Sequence, residues 1–253
     1  MATIERDKAR AIGRKARAYA VHVLTASGVV FAFLAVAELF AEAPDPRWVF
    51  LWLAVAGFID AVDGPLARRW RVKAYAARIG GRTIDDIVDY LTFTFVPLLL
   101  VWRMGWVPPP EAVWVVPAMA ASLFGFANAN AKQADAGFFL GFPSYWNVVA
   151  YYVGILVAYA GSAGAVAAAV AVVVFTVLTL VPVRFVYPNQ AVRPWRGPVL
   201  VGGVAWVGLL LALLPAYPAV PLGLVLVSLV YPVFYLGLSA YLDATGRSRR
   251  RGT

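Results

Sequence analysis

The chain has no cysteine and a single histidine among its 253 residues. The lack of cysteine excludes a disulfide framework and any thiolate nucleophile or metal ligand. Charged residues are also scarce, at 14%, compared with about 25% in soluble domains. Hydrophobic residues make up 62%, and they lie in runs near the length of about 20 residues that a helix needs to cross a membrane. The composition therefore predicts a polytopic membrane protein without a separate soluble domain.

The apolar runs predict an all-α integral membrane fold, a bundle of about eight transmembrane helices preceded by a basic N-terminal interfacial segment. Breaks rich in proline and glycine separate the runs. The division of the fifth span from the sixth rests on the short stretch AGSAG at 160–164. The predicted spans are 19–41, 48–68, 84–103, 112–131, 146–161, 163–184, 198–215 and 219–242. The predicted organisation is a basic segment at 1–18, a membrane domain at 19–243 and a basic tail at 244–253.

Basic residues are distributed unevenly between the two sides of the predicted bundle. If the amino terminus is cytoplasmic, 20 of the 22 Lys and Arg residues fall in cytoplasmic segments. The positive-inside rule therefore predicts that both termini are cytoplasmic, together with the end of span two and the start of span three. For segment 1–18 two interpretations are open: a helix lying on an anionic membrane surface, or a solvated tail that only sets the topology.

Four aspartates stand at the predicted cytoplasmic ends of spans two and three. Asp60 and Asp63 share one helical face, because residues three or four apart lie on the same side of a helix. Asp85 and Asp89 share a face of span three for the same reason, whereas Asp86 points about 100° away. If the two faces meet, the carboxylates repel one another unless protons or cations intervene. Oxygen ligands suit Mg²⁺, Mn²⁺ or Ca²⁺, so we predict a divalent pair of the kind that clamps a transferred phosphoryl group.

The residues after Asp63 predict an interruption of span two. Pro65 has no N–H, so the carbonyl of Ala61 loses its helical partner, and Gly64 is conformationally permissive. We expect the helix to open here so that its backbone approaches a ligand. Arg68 follows, and its planar guanidinium suits a phosphate group.

These residues together resemble the signature of the CDP-alcohol phosphotransferase family. The motif is Asp60-x-x-Asp63-Gly64-x-x-Ala67-Arg68, followed by Gly81-x-x-x-Asp85-x-x-x-Asp89. Members are membrane enzymes that transfer a substituted phosphate from a CDP-linked donor to an alcohol and release CMP. Twelve residues separate Arg68 from Gly81 here, more than in most members. This spacer is similar to that of the bacterial branch that uses choline, as are GFPSYWN at 141–147 and VPVRFVYPN at 181–189.

The resemblance implies a role for each motif position. Asp89 would be the general base for the attacking alcohol. The implied ligands of two Mn²⁺ or Mg²⁺ ions are Asp60, Asp63, Asp85 and Asp89. The implied CDP and phosphate contacts are Asp63, Gly64, Ala67, Arg68 and Gly81. The implied reaction transfers a phosphatidyl group from CDP-diacylglycerol to choline, with release of CMP, at the cytoplasmic side of a bacterial inner membrane.

Choline is a quaternary ammonium, which proteins hold with aromatic faces and carboxylates. Tyr90, Tyr145 and Trp146 are the candidate contacts, although aromatic residues also anchor helix ends at membrane interfaces. Another acceptor, such as serine, inositol or glycerol phosphate, is an open alternative. An ion or proton transporter is an alternative of another class. Membrane lipids are expected partners, a nucleic acid is not, and whether the chain forms a homodimer is left open.

Overall fold

The computed structural model describes residues 2–128, 132–133 and 137–251. The helices are α1 (Ala2–Leu39), α2 (Pro46–Arg69), α3 (Val72–Tyr75), α4 (Gly81–Asp89), α5 (Val96–Arg103), α6 (Ala112–Ala127), α7 (Trp146–Leu180), α8 (Arg196–Leu213) and α9 (Leu222–Arg251). A π-helical segment, Tyr90–Phe95, connects α4 to α5, and short 3₁₀ turns cover Pro188–Gln190 and Leu214–Ala216. Met1, 129–131, 134–136 and 252–253 lie outside the described residues.

Helix is present at each of the eight predicted spans within the described residues. The third predicted span corresponds to α4, the π segment and α5 taken together. The fifth and sixth correspond to the two halves of α7, which bends at Gly161, where φ is 53° and ψ is −126°. The predicted division at 160–164 is therefore confirmed, since the backbone leaves the helical region at that glycine.

The basic ends of the chain continue neighbouring helices. α1 runs without interruption through the predicted segment 1–18 as far as it is described, and α9 extends to Arg251. Both predicted end segments are thus helical extensions within the described residues.

Among the described residues, five helices are long and apolar enough to cross a membrane, and α6 is a shorter apolar helix. The five are Arg10–Leu39, Pro46–Arg69, Trp146–Leu180, Arg196–Ala216 and Leu222–Thr245. Large apolar side chains on these helices are exposed, such as Phe33 at 67% and Val204 at 76%. Exposed apolar surface on this scale is unfavourable in water but suits contact with lipid. The chain is therefore a multi-pass membrane protein.

The described residues include a small antiparallel sheet that the predicted all-α fold did not anticipate. The strands β1 (Lys132–Gln133), β2 (Phe138–Leu140) and β3 (Arg184–Val186) lie in the order β1-β2-β3. Phe139 pairs with Phe185 in its register. These strands are too short to show the alternating pattern by which strands are predicted.

The chain separates into two compact units, Met1–Val96 and Pro97–Thr253. In the first unit, α1 packs along α2 and contacts α3 and α4. In the second, α6 packs on α7, and α9 packs on β3 and α8. The Tyr235 hydroxyl donates to the Val186 carbonyl at 2.9 Å, which fixes α9 to the sheet. The motif of Asp60 to Asp89 lies entirely in the first unit.

The start of α2 is set by Asp45 and Pro46. The Asp45 carboxylate accepts from the backbone N–H of Arg47 at 2.9 Å, and proline occupies the first turn, where its missing N–H costs nothing. The Arg47 guanidinium also pairs with Asp45 at 2.6 Å. Its hydrogen bond is the main cause that lowers the pKa of the Asp45 carboxyl below its usual value.

Candidate functional site

Three of the four predicted aspartates lie together in the first unit. Asp60 on α2 and Asp85 and Asp89 on α4 each offer a carboxylate oxygen, and these oxygens lie within 4.8 Å of one another. All three side chains are half-buried. Asp85 and Asp89 lie one helical turn apart, as their spacing predicts. The structure thus brings the faces of the two helices together at these three residues, here named the carboxylate group.

The carboxylate group concentrates negative charge that must be balanced. At separations of no more than 4.8 Å and an effective dielectric constant of about 20, two full charges repel by about 3 kcal/mol or more. Two oxygens on opposite sides of a Mg²⁺ ion lie about 4.2 Å apart. The oxygen separations in the group are at most 4.8 Å, so small side-chain movements suffice for shared coordination. Three carboxylate oxygens are also the donor type that hard divalent ions prefer, so the residues fit a divalent metal.

Asp63 lies one turn after Asp60 but in a different environment. Its side chain is 5% exposed, and the hydroxyl of Thr25 on α1 donates to Asp63 Oδ2 at 2.5 Å. Thr25 is itself 8% exposed. Asp63 is not among the three residues of the carboxylate group. Its predicted role as a metal ligand and CDP contact stays a prediction, and Thr25 is the partner that the structure gives it.

Asp86 forms an ion pair with Arg82 one turn earlier on α4, at 3.5 Å. This pair agrees with the expectation that Asp86 faces away from Asp85 and Asp89. Surface pairs of this spacing contribute only a few tenths of a kcal/mol. Asp86 therefore offers a matched control for substitutions in the carboxylate group.

α2 continues through Pro65 as a helix up to Arg69, so the predicted opening of span two is wrong. The backbone N–H of Trp70 still donates to the carbonyl of Leu66 at 2.9 Å, which closes the last turn. Gly64 explains why the helix tolerates Pro65, because a residue without Cβ avoids the clash that proline imposes on its predecessor. The space over this glycine is used by Arg68, since a Cβ at Gly64 would lie 3.6 Å from Arg68 Nη1.

Gly81 opens α4 directly against α1. A Cβ at this position would lie 2.7 Å from Cε1 of His22, too close without a shift of the imidazole. His22 is 6% exposed, its ring meets that of Tyr19 edge-on at 6.3 Å, and its Nε2 has no hydrogen-bond partner within the described residues. Gly28 allows a similar contact farther along α1, because a Cβ added at this position would lie 2.5 Å from Cγ1 of Val88. Two glycines therefore permit the close approach of α1 and α4.

The helix changes its winding directly after Asp89. Residues Tyr90–Phe95 form a π-helical segment, a feature often found at functional sites. The Thr92 hydroxyl donates to the Val88 carbonyl at 2.9 Å. The Thr94 hydroxyl is fully buried and has no hydrogen-bond partner among the described residues. Tyr90, a predicted choline contact, is the first residue of this segment and is half-buried.

The other two predicted choline contacts belong to the second unit. Trp146 is fully buried, and its indole N–H donates to the Ser122 hydroxyl at 2.8 Å. Its ring meets that of Phe142 edge-on at 5.7 Å. Tyr145 immediately precedes α7 and is half-buried. Complete burial favours a packing role for Trp146, whereas Tyr145 keeps some of its ring accessible.

Sequence reasoning missed the contribution of α1 to this site. Thr25 and His22 lie three residues apart on α1 and contact Asp63 and Gly81 of the motif. The signal in the sequence was weak, because a threonine and a histidine in an apolar run are also common at membrane interfaces and in helix packing. Their partners lie dozens of residues away, so only the folded chain relates them.

The motif region lies inside a match to a known family. The family model described as CDP-alcohol phosphatidyltransferase matches residues 19–181. The chain is 37% identical over 218 residues to the phosphatidylcholine synthase of Pseudomonas aeruginosa. The aligned stretch covers 83% of this chain and 86% of that relative. It is 33% identical over 195 residues to the phosphatidylcholine synthase of Mesorhizobium japonicum, with coverage of 75% and 68%. The protein of the same name from Agrobacterium fabrum is 34% identical over 179 residues, 70% of each chain. No solved structure matches the chain.

Proposed function

Because the chain belongs to the CDP-alcohol phosphatidyltransferase family, we propose that it catalyses the reaction of a phosphatidylcholine synthase. It would transfer the phosphatidyl group of CDP-diacylglycerol to choline and release CMP. The observation that carries the transfer chemistry is the carboxylate group of Asp60, Asp85 and Asp89, which stands on the motif segments of α2 and α4. The acceptor is inferred from relatives that bear this name at 33–37% identity.

The carboxylate group is the proposed site for two Mn²⁺ or Mg²⁺ ions. Asp60, Asp85 and Asp89 would supply the oxygens, and Asp63 completes the proposed set. Divalent ions bound there would neutralise the pyrophosphate and hold it for in-line displacement. The 4.8 Å limit on the oxygen separations and the hard donor type support this assignment.

Asp89 is the proposed general base. Its carboxylate accepts the proton of the choline hydroxyl as the choline oxygen bonds to the phosphorus that carries diacylglycerol. The bond from that phosphorus to the bridging oxygen breaks, and CMP leaves with the electron pair. A base must lie within hydrogen-bond reach of the attacking hydroxyl. Asp89 belongs to the carboxylate group and directly precedes the π segment.

The nucleotide and its phosphates are proposed to bind along Gly64, Ala67, Arg68 and Gly81, with Asp63 nearby. Arg68 is exposed and its guanidinium lies over Gly64, where it is accessible to an anionic group. A planar guanidinium binds two phosphate oxygens at once, with geometry that lysine lacks. Gly81 opens α4 and has no side chain, so its proposed contact with the nucleotide is made by its backbone.

For choline we propose Tyr90 of the first unit as an aromatic contact. Tyr145 of the second unit stays a separate candidate, and both residues are half-buried. Trp146 stays a third candidate with weaker support, because its ring is fully buried. A ring face within about 6 Å attracts a quaternary ammonium. Substitution of each tyrosine by leucine is expected to raise the KM for choline more than that for CDP-diacylglycerol.

The proposed setting is the inner membrane of a bacterium, with both termini and the carboxylate group on the cytoplasmic side. The bias of 20 of 22 basic residues toward that side supports this orientation. CDP-diacylglycerol would come from the bilayer, and choline and CMP would exchange with the cytoplasm. The proposal holds for a monomer and for a homodimer.

The deciding experiment measures CMP release by the purified full chain with CDP-diacylglycerol and Mn²⁺. Choline, serine, inositol and glycerol 3-phosphate are offered separately as acceptors, and the lipid product is identified by mass spectrometry. We expect release with choline and formation of phosphatidylcholine. Omission of divalent metal should abolish release.

Two other outcomes have distinct meanings. Release with one of the other alcohols, but not with choline, would overturn the acceptor and retain the family chemistry. No release with any acceptor, in a preparation that binds CMP and Mn²⁺, would overturn the transferase proposal itself.

A further inference from the structure

A cavity of about 340 Å³ in the first unit has a polar lining of arginine side chains. It lies where the N-terminal half of α1 meets the end of α2 and the short helix α3. Its lining consists of Arg14, Arg17, Arg69, Trp70, Arg71 and Tyr75. We name this feature the arginine cavity.

The arginine cavity stands on a packed apolar base. Ala18 and Val21 of α1 are buried against Val72 and Ala76, and Trp70 and Tyr75 pack against the same cluster. Residues three apart share a helical face, so Arg14 and Arg17 lie together on α1. Docking of α3 on α1 therefore determines where the arginines from the two segments meet.

The backbone of Arg71 and a contact between Arg14 and Tyr75 define the rim of the arginine cavity. Arg71 adopts φ 50° and ψ 48°, a left-handed conformation that residues other than glycine rarely adopt. It places the turn between α2 and α3 so that α3 folds back toward α1. Arg14 donates to the Tyr75 hydroxyl at 3.3 Å, and its guanidinium carbon lies 6.0 Å from the Tyr75 ring centroid.

Four positive charges line this one cavity. Among the residues that the structure describes, none of these four arginines forms an ion pair. Like charges that share a site repel unless a counter-charge binds. Guanidinium groups bind phosphate oxygens through paired hydrogen bonds. We propose that the arginine cavity binds a phosphate group of a ligand other than the CDP-linked donor.

The arginine cavity is separate from the carboxylate group and from the motif arginine. Asp60, Asp85 and Asp89 do not line it. Arg68 lies over Gly64 rather than in the cavity, because successive helical residues point about 100° apart. Arg69 therefore faces the cavity while Arg68 faces the motif.

The phosphate group has two chemically equivalent sources, the head group of an anionic phospholipid and free phosphate. A head group is within reach because α1 enters its apolar span immediately after Arg14 and Arg17. Basic residues at this position on a membrane helix attract anionic lipids. Free phosphate would satisfy the same guanidinium groups without a membrane.

The test uses the purified full chain in nanodiscs of neutral lipid. Binding of dioctanoyl phosphatidylglycerol, inorganic phosphate and CMP is measured separately by thermophoresis, with dioctanoylglycerol as the ligand that lacks phosphate. The variant is R69Q/R71N, since asparagine accepts the left-handed backbone better than most residues. The matched control is K73Q/R78Q, which removes two exposed charges of the same region that do not line the cavity.

We expect R69Q/R71N to weaken binding of a phosphate ligand about tenfold, while K73Q/R78Q changes it by less than about twofold. Weaker binding of phosphatidylglycerol identifies a lipid head group, and weaker binding of inorganic phosphate alone identifies the free ion. R14Q/R17Q, which alters only exposed side chains of α1, must give the same loss. If R69Q/R71N does not fold, the binding measured for R14Q/R17Q tests the inference alone.

Three results would overturn the inference. Equal losses in the variant and the control would mean that net charge alone acts. No binding of either phosphate ligand by the wild-type chain would remove the site. A parallel loss of CMP affinity in R69Q/R71N would assign these arginines to the donor site. The transferase proposal is tested by CMP release, whereas this inference is tested by binding of phosphate ligands. The failure of one proposal can therefore be told from the failure of the other.

Discussion

Asp60 and Asp63 lie one turn apart on α2, yet they have different surroundings. Asp60 is half-buried and joins Asp85 and Asp89 from α4. Asp63 is buried and accepts a hydrogen bond from Thr25 of α1. The same helical face thus serves two partners, because α1 packs along α2 while the carboxylates of α4 meet Asp60. The comparison teaches that two residues on one helical face can have different partners and different burial.

The largest expected effect comes from breaking the carboxylate group itself. D89N removes the proposed base and should lower kcat for CMP release by a factor of about 10² to 10⁴. D85N removes a proposed metal ligand and should raise the Mn²⁺ concentration needed for half-maximal activity. D86N is the control on the same helix, and activity within about twofold of wild type is expected because its surface ion pair contributes little. Full activity of D89N would contradict its role as base.

A smaller effect should follow from adding a side-chain atom at Gly81, where α4 lies against α1. G81A places a Cβ 2.7 Å from His22 Cε1, and overpacking of this kind costs about 1–3 kcal/mol. We expect a lower thermal unfolding midpoint in detergent and weaker CMP binding. H22A combined with G81A should recover most of the stability, since the obstructing imidazole is gone.

G13A is the matched control for this prediction, because among the described residues no other part of the protein lies within 4 Å of a Cβ at that glycine. It should leave the unfolding midpoint unchanged or slightly raised, as expected for an alanine in a helix. An H22A background that fails to recover any stability would show that the strain of G81A arises elsewhere.

The last prediction, which sharpens the comparison most, concerns Thr25. T25V removes the hydroxyl that donates to Asp63 and leaves a buried carboxylate oxygen without this partner, at a cost of about 1–3 kcal/mol. If Asp63 is also a metal ligand, loss of its orienting partner should weaken Mn²⁺ binding by about tenfold. T25S keeps the hydroxyl and should retain both properties.

Thermal unfolding and Mn²⁺ titration separate the two roles of Asp63. A loss of stability with unchanged Mn²⁺ affinity would make Asp63 a structural residue held by α1. The metal site would then consist of the carboxylate group alone.

Much of the fold was predictable because membrane spans depend on local properties of the chain. Long apolar runs and the turn residues between them located helix at all eight predicted positions. The predicted break near Gly161 was also confirmed. The continuity of α2 through Pro65 was not, because the loss of one hydrogen bond is tolerated where the preceding glycine relieves the clash.

Some of the candidate site was predictable for the same reason. Helical spacing alone puts Asp85 and Asp89 on one face and turns Asp86 away, and the ion pair of Asp86 with Arg82 agrees. Which of the α2 aspartates meets them is not a local property. It depends on how α1 packs between α2 and α4. Two glycines permit its approach to α4, and the Thr25 hydroxyl joins it to Asp63 of α2.

The sequence by itself determined a multi-pass helical protein, the family signature and the faces of its aspartates, because hydropathy and helical periodicity act over a few residues. Only the tertiary structure decided that Thr25 holds Asp63, that His22 packs on Gly81, and that four arginines line one cavity. Each of these contacts joins residues far apart in the chain. Their distances follow from the packing of α1 against α2, α3 and α4, which no local pattern encodes.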